Sequence, residues 1–384
     1  AFNQRRLAER EADVAQSLNL ATSAQVALDE QDTDLALALA LAANQIHDPP
    51  PQAQLILAEA AYAPGTHQRL AGHTAPIEGL VILPDGNRTV SASADQTLIL
   101  WDLNGAVLRR FEGHTGAVHD VALLPDRDRM LSASADGTLI LWHIESGETV
   151  RTFTGHESAV WSVAVSPDGR TALSGAGDGA LILWDLDSGE VLRQMEGHTD
   201  AVYSVTIGPD GRQALSGSAD RNVILWDLES GAALHWMTGV ADAVAGSREG
   251  GGHFDSVWGV AFHPDGRTAV SVSQDEFVIL WDLETGQHAS RIDADIGMFG
   301  IAMSSDGRVA LVGTLDNRVL LLDLESGQLL SQLRGHTARV RAVAFTPDGR
   351  SALSGSDGGT LRLWNLFNGA EMRSIMYDYA LEPA

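Results

Sequence analysis

The chain contains no cysteine and no lysine; all 25 of its basic residues are arginine. Without cysteine there is no thiol nucleophile, no disulfide and no thiolate zinc site. Without lysine, Schiff-base chemistry and a P-loop lysine are excluded as well. No run approaches the roughly 20 apolar residues that cross a bilayer, and no signal peptide is visible. A cysteine-free chain suits reducing and oxidising compartments alike, so the cytoplasm and a membrane tether both stay open. The chain begins at Ala1 rather than Met, which leaves room for a longer parent with a membrane helix upstream of Ala1. Positive charge is scarce: 25 arginines face 51 acidic residues, a formal net charge of −26. Residues 1–65 hold 3 Arg against 9 Asp and Glu, or −6, leaving −20 for the rest. Such a surface repels phosphate, so nucleic acid and anionic lipid are poor partners, and a protein or peptide of basic character is the easier one.

Glycine is abundant, with 39 residues in the 384, mostly at regular intervals. That spacing points to tight turns and an all-β body. The first 64 residues differ: Ala, Leu, Gln and Glu dominate, which predicts a small α-helical segment over 1–64. Leu7, Val14, Ala21 and Leu28 recur every seven residues as an apolar stripe, after a polar start that reads as a solvated stalk. Asp32 or Thr33 can cap a second helix running through Leu35, Leu37, Leu39, Leu41 and Ile46. Pro49, Pro50 and Pro51 break it, and a third helix is expected from about Gln52 to Tyr62.

Residues 65–384 repeat. Gly-His pairs place histidines at 73, 114, 156, 198, 253 and 336, and tryptophans follow at 101, 142, 184, 226, 281 and 364. The tryptophan spacings are 41, 42, 42, 55 and 83 residues. The last gap holds two repeats, since Leu322-Asp323 stands where Trp-Asp is expected, and the 55-residue gap carries an insertion within 237–252. Each of these seven repeats reads as strand, Pro-Asp-Gly-type turn, strand, tight turn, strand, turn, strand. That is the grammar of a four-stranded propeller blade. Two strands compete for the last place in the ring, Thr66–Ala71 and Ala370–Met376. The first is favoured because a two-residue link pins it to the first blade.

In-register Gly-His and Trp-Asp marks across roughly residues 66–376 resemble the WD-repeat β-propeller family. The resemblance implies a seven-bladed propeller and, in each blade, a structural hydrogen-bond set of His, Ser, Asp and Trp. Complete sets by that pattern are His73/Ser93/Asp95/Trp101, His114/Ser134/Asp136/Trp142, His198/Ser218/Asp220/Trp226 and His253/Ser273/Asp275/Trp281. Three repeats depart from it. The third has Ala176 in place of the hydroxyl. The sixth lacks the His and has Leu322 for Trp, keeping Thr314 and Asp316. The seventh has Gly358 for the Asp, with Asp357 one residue early. Blades six and seven are therefore expected to be the softest. The N-terminal stretch "ALDEQDTDLALALALAANQI" with "AEAAYAPGTHQRLAGHT" resembles bacterial signalling proteins that join a STAND-type ATPase or kinase module to a propeller.

Enzymatic signals are weak. Gly175 to Ala180 matches a GxGxxA string but falls between two strands, where a dinucleotide site does not form. Asp293 to Gly297 resembles the start of a calcium loop but has Ser304 where the twelfth-position Glu belongs, so no metal is expected. Four His/Ser/Asp sets in one chain argue for scaffold rather than triads, so a hydrolase is disfavoured, and neither a catalytic residue nor a cofactor is assigned. The position five residues after each Gly-His histidine is more informative. It holds Glu78, His119, Trp161, Tyr203, Trp258, Phe299 and Arg341, with aromatics in four consecutive repeats. In the family this position opens the innermost strand near the channel mouth. Aromatic residues and arginine dominate binding hot spots, so His119, Trp161, Tyr203, Trp258, Phe299 and Arg341 are the expected partner-binding residues. Asp200 and Asp255 would ring them, and the insertion around 239–251 would lie on the same face. The expected function is a non-catalytic protein-interaction scaffold or sensing propeller within a larger bacterial signalling protein. The alternative is a carbohydrate or small-ligand binder using the same aromatics.

Overall fold

A computed structural model describes residues 2–29, 33–46, 49–62, 65–238 and 251–366. The insertion at 239–250 and the alternative closing strand Ala370–Met376 lie outside them. The chain forms two compact units, one centred on helices and one on sheets.

Three helices open the chain: α1 (Phe2–Asp29), α2 (Thr33–Gln45) and α3 (Pro51–Tyr62). Asp32 is outside the described residues, and Pro51 takes the first position of α3, where a missing N–H costs nothing. The helices pack mainly on alanine; of the expected stripe, Ala21 joins this core and Leu28 packs against it, whereas Val14 does not. Ala21, Ala24 and Ala27 of α1 meet Ala36, Ala40 and Ala43 of α2, with Ala53 and Ile56 of α3. Val14, Leu35 and Leu41 are exposed. Small side chains let helix axes approach closely, so the stripe of least volume, not of greatest hydropathy, turns inward. Ser17 seals the contact by donating its hydroxyl to the Ala43 carbonyl at 2.8 Å.

The second unit contains seven four-stranded antiparallel sheets. The innermost strands are Ile77–Ile82, Val118–Leu123, Val160–Val165, Val202–Ile207, Val257–Phe262, Met298–Met303 and Val340–Phe345. Each touches the next, and the last touches the first, so the ring closes. The seventh sheet takes Gly65–Ala71 as its outer strand beside Thr360–Asn365. The N-terminal strand thus closes the ring, as its short link to blade one suggested.

Sequence marks become packing constraints. Trp101, Trp142, Trp184, Trp226, Trp281 and Trp364 are at most 1% exposed. They lie among apolar side chains shared between neighbouring blades, as Trp142 does with Leu98, Leu100 and Phe111 of blade one. The glycine of the Gly-His pair makes room for this ring. A Cβ at Gly113 would stand 2.8 Å from the Trp142 edge, and Gly72, Gly155 and Gly197 meet their own tryptophans likewise.

The corner hydroxyls sit two residues earlier than the pattern implied. In blade one the Trp101 indole donates to Ser91 at 2.8 Å, and Ser91 meets His73 Nε2 at 2.8 Å. His73 Nδ1 faces Asp95 at 2.8 Å. A carboxylate only accepts, so Nδ1 carries the proton and Nε2 accepts the serine O–H. Ser132, Ser216 and Ser271 play this part for Trp142, Trp226 and Trp281. Ser93, Ser134, Ser218 and Ser273 instead accept the backbone N–H of Asp95, Asp136, Asp220 and Asp275, fixing the turn. Alternation puts both serines on one strand face, so spacing could not separate them. Register does: Trp101 pairs with Thr89, and Ser93, four residues on, lies about 13 Å along the strand.

That shift reassigns the irregular blades. In blade three Ser174 accepts from Trp184 at 2.8 Å and meets His156 Nε2 at 2.7 Å, so the corner hydroxyl is present. Ala176 instead removes the hydroxyl that would hold the Asp178 amide, and Nδ1 of His156 is left without a partner. In blade six Thr314 belongs to the turn, bonding Asp316 at 2.6 Å. The corner positions hold Ala294, Val312 and Leu322, all in one apolar cluster. In blade seven His336 Nε2 meets Ser354 at 2.7 Å.

Candidate functional site

Every innermost strand slips register at the same place. The irregularity falls between Ile77 and Gly79, Val118 and Asp120, Val160 and Ser162, Val202 and Ser204, Val257 and Gly259, Met298 and Ile301, and Val340 and Ala342. The skipped residues are Glu78, His119, Trp161, Tyr203, Trp258, Phe299 and Arg341, with Gly300 skipped beside Phe299. A bulge re-aims a side chain out of the regular alternation. Here it turns one side chain per blade to the wall of a single cavity of about 340 Å³.

The structure joins these side chains into one continuous arc. His119 stacks on Trp161 with centroids 4.0 Å apart and planes at 18°. Trp161 meets Tyr203 edge-on at 5.2 Å and 88°. Tyr203 stacks on Trp258 at 4.0 Å and 4°, and Trp258 meets Phe299 edge-on at 5.1 Å. Alternating stacked and edge-on contacts suit the ring quadrupoles. At the far end, the Arg341 guanidinium lies 5.3 Å from the Phe299 ring and 5.9 Å from that of Trp258. Trp161, Tyr203 and Trp258 are half-buried, whereas His119 and Phe299 are buried and back the arc rather than face solvent.

Both ends of the arc are pinned by carboxylates that the family pattern does not assign. Glu78 holds His119 Nδ1 at 2.5 Å. Asp357 accepts from Arg341 Nε at 2.5 Å and from Arg339 Nε at 2.8 Å. The one-residue displacement of Asp357 thus moves this acid from the histidine corner to the channel mouth. A visible signal was its position: Asp357 falls one residue early in the repeat.

Asp200 and Asp255 are exposed and do not line the cavity. Burial raises the Tyr203 hydroxyl above its usual range, and the Asp200 charge adds to the rise, which ties Asp200 electrostatically to the arc. Asp255 occupies the equivalent turn in blade five, where its carbonyl accepts from Ser273 at 3.0 Å. Below the arc, burial pushes the Asp120 carboxyl above the ordinary carboxylate range, against the opposing pull of the Val163 amide and the Ser162 hydroxyl.

The blade corners are buried structural groups. Ser91, Ser132, Ser174, Ser216 and Ser271 are 0% exposed, so none meets a substrate carbonyl. Burial raises the Asp136 carboxyl, but Thr138, Thr115 and His114 outweigh it and hold it at about 2; Asp220 is likewise held at about 2. Burial with no hydrogen-bonded carboxylate lowers His156 to about 4. The Gly175–Ala180 string forms a strand end and a turn, with Gly179 at φ +83° leading into the next strand. No helix among the described residues is long and apolar enough to cross a membrane.

The sequence matches the WD domain, G-beta repeat, family over residues 66–102, 105–143, 147–185, 189–227, 247–282 and 327–365, more than half of the chain. Blade six is the one repeat absent from these matches, and it is also the blade whose corner is apolar. The chain is similar to the ribosome biogenesis protein erb1 of Neurospora crassa, 48% identical over 42 residues, which is 11% of this chain. That stretch is about one repeat long and spans 5% of the relative's length.

Proposed function

The chain belongs to the WD domain, G-beta repeat, family, and from that premise we propose that its propeller is a non-catalytic scaffold that seats a basic protein segment at the channel mouth. WD propellers generally act as protein-interaction scaffolds. The observation that carries the cationic preference is Arg341. The molecule already rests one guanidinium against the end of its own aromatic arc. A cation over an exposed aromatic face gains about 0.5–2 kcal/mol per contact, most where water is excluded. The half-buried Trp161, Tyr203 and Trp258 offer further faces of this kind. A net charge of −26 would speed the approach of a basic partner and make association salt-sensitive. Asp200 and Asp255 add negative charge beside the mouth. The likeness of the N-terminal helices to multidomain bacterial signalling proteins supports placing this scaffold within such a longer chain.

An array of short peptides, graded from arginine-rich to glutamate-rich, tests the reading. Basic peptides should bind. Trp161→Ala and Trp258→Ala should weaken them, and Asp210→Ala, in the turn at the far end of the Tyr203 strand, should not. Equal loss in all three variants would refute the site. Retention of glycans rather than peptides by the same aromatics would favour the carbohydrate alternative.

A further inference from the structure

The innermost strands each present one unpaired edge to the channel, and their free N–H groups must find partners. They do so in two different ways around the ring. In blades two, three and four the residue just after the arc side chain carries an acceptor: Asp120, Ser162 and Ser204. Asp120 accepts the Ser162 hydroxyl at 2.8 Å and the Val163 amide at 3.0 Å. Ser162 in turn accepts the Val205 amide at 3.1 Å, and Ser204 accepts the Val260 amide at 3.2 Å. Val163, Val205 and Val260 each stand two residues after an arc aromatic, namely Trp161, Tyr203 and Trp258. The stitches therefore run from blade two to blade five, and these are the four blades that bear the two stacked pairs. Elsewhere the equivalent positions are Gly79, Gly259, Gly300 and Ala342. A Cβ at any of the three glycines would come closer than 3.0 Å to the next blade's backbone or its side chains. Those seams pack directly, without a side-chain stitch.

We infer that Asp120, Ser162 and Ser204 are positioning residues of the arc: by tying each bulge to the next blade they set the spacing at which His119 meets Trp161 and Tyr203 meets Trp258. The argument rests on the arc being the docking surface, but its test needs no partner. Six of the nine tryptophans are at most 1% exposed, and Trp236 is 48% exposed. In a Trp236→Phe background, the emission that acrylamide can quench therefore comes from Trp161 and Trp258. Ser162→Ala should raise that quenching and speed amide exchange at Val205 about tenfold. Ser204→Ala should do the same at Val260, and Ser162→Thr, which keeps the hydroxyl, should restore both readings. Ser166→Ala is the control. It removes hydrogen bonds to Asp168 and Thr171 just beyond the end of the blade-three inner strand and should leave quenching unchanged. Unchanged quenching in Ser162→Ala, with or without faster Val205 exchange, would overturn the inference. So would an equal rise in Ser166→Ala. A positive result with no peptide bound on any array would keep the positioning role and sink the docking reading alone.

Discussion

Blade two and blade six have the same four strands and slip register at the same place, yet their corners are built from opposite materials. Blade two buries His114, Ser132 and Trp142, linked to one another and to Asp136. Blade six buries Val312 and Leu322 against Val270, Val272 and Val278, with the partly buried Ala294 packed beside them. Replacing every member of a buried polar network by apolar groups of suitable shape is nearly neutral, whereas removing one member leaves its partners unpaired. Blade six shows the complete exchange; blade three, where His156 keeps its serine but not its carboxylate, shows the incomplete one. The four-stranded blade forms around a polar corner, an apolar one or an incompletely paired one, and the three should differ in stability rather than in fold.

The largest test of this contrast is Trp142→Ala, which should cost about 3–5 kcal/mol in chemical denaturation. Trp161→Ala, at the half-buried mouth, should cost far less, and similar losses would erase the distinction between corner and arc aromatics. Next in size, Ser132→Ala should cost about 1–3 kcal/mol for each group it strands, namely the Trp142 N–H and His114 Nε2. The decisive variant installs the blade-six set in blade two: His114→Ala, Ser132→Val and Trp142→Leu together. Its cost should fall clearly below the sum of the three single changes. A sum that is met or exceeded would mean that blade six survives for some other reason.

Acid separates the blades more gently. His156 is lowered to about 4 and His336 to about 3 by burial. A histidine whose folded pKa is depressed takes up protons more readily when unfolded, so its penalty is absent above about 6.5 and grows as pH falls through that value. Asp136 and Asp220, held at about 2, contribute stability above their unfolded value and lose it only as pH falls from 3.8 toward 2. Between pH 6.5 and 4, amide exchange should therefore quicken first in blades three and seven. Blade six, with no histidine to titrate at its corner, should hold its neutral-pH protection over this range, against the sequence-based expectation that it is among the softest. Fastest exchange in blade six would restore that expectation. The smallest effect is Ala176→Ser. The new hydroxyl can hold the Asp178 amide as Ser134 holds that of Asp136, raise the His156 pKa and add about 0.5–1.5 kcal/mol. An unmoved histidine titration would show that the missing hydroxyl is not what keeps Asp178 from His156.

The ring itself was legible because glycine, histidine and tryptophan recur at fixed offsets and each offset answers to one packing demand, as Gly113 does beneath Trp142. The arc members were legible by offset as well. What spacing could not settle was which of two serines on one strand face reaches the indole, since alternation gives both the same side. Nor could it reveal the carboxylates at the ends of the arc. Glu78 and Asp357 act across a blade boundary or out of register, and repeat arithmetic treats both as ordinary variation. In the helices, hydropathy picked out Ala21, Leu28, Leu37 and Leu39, which do reach the core, but missed the alanines that fill its centre, because a periodic pattern ranks side chains by oiliness and close packing ranks them by size.

The outer strand of blade seven has a consequence for how the molecule is made. Gly65–Ala71 is synthesised before every other described strand, and its neighbour Thr360–Asn365 after all of them. Six of the seven sheets can form from contiguous sequence as they appear, but the last must wait with its edge strand already built and unpaired. Non-local pairing of this kind is slow and exposes strand edges in the meantime. A nascent chain stalled before residue 360 would be an open ring of finished blades, with one strand seeking any edge that offers itself. The pairing that spans the whole ring is therefore confined to a single seam rather than shared by seven equivalent ones.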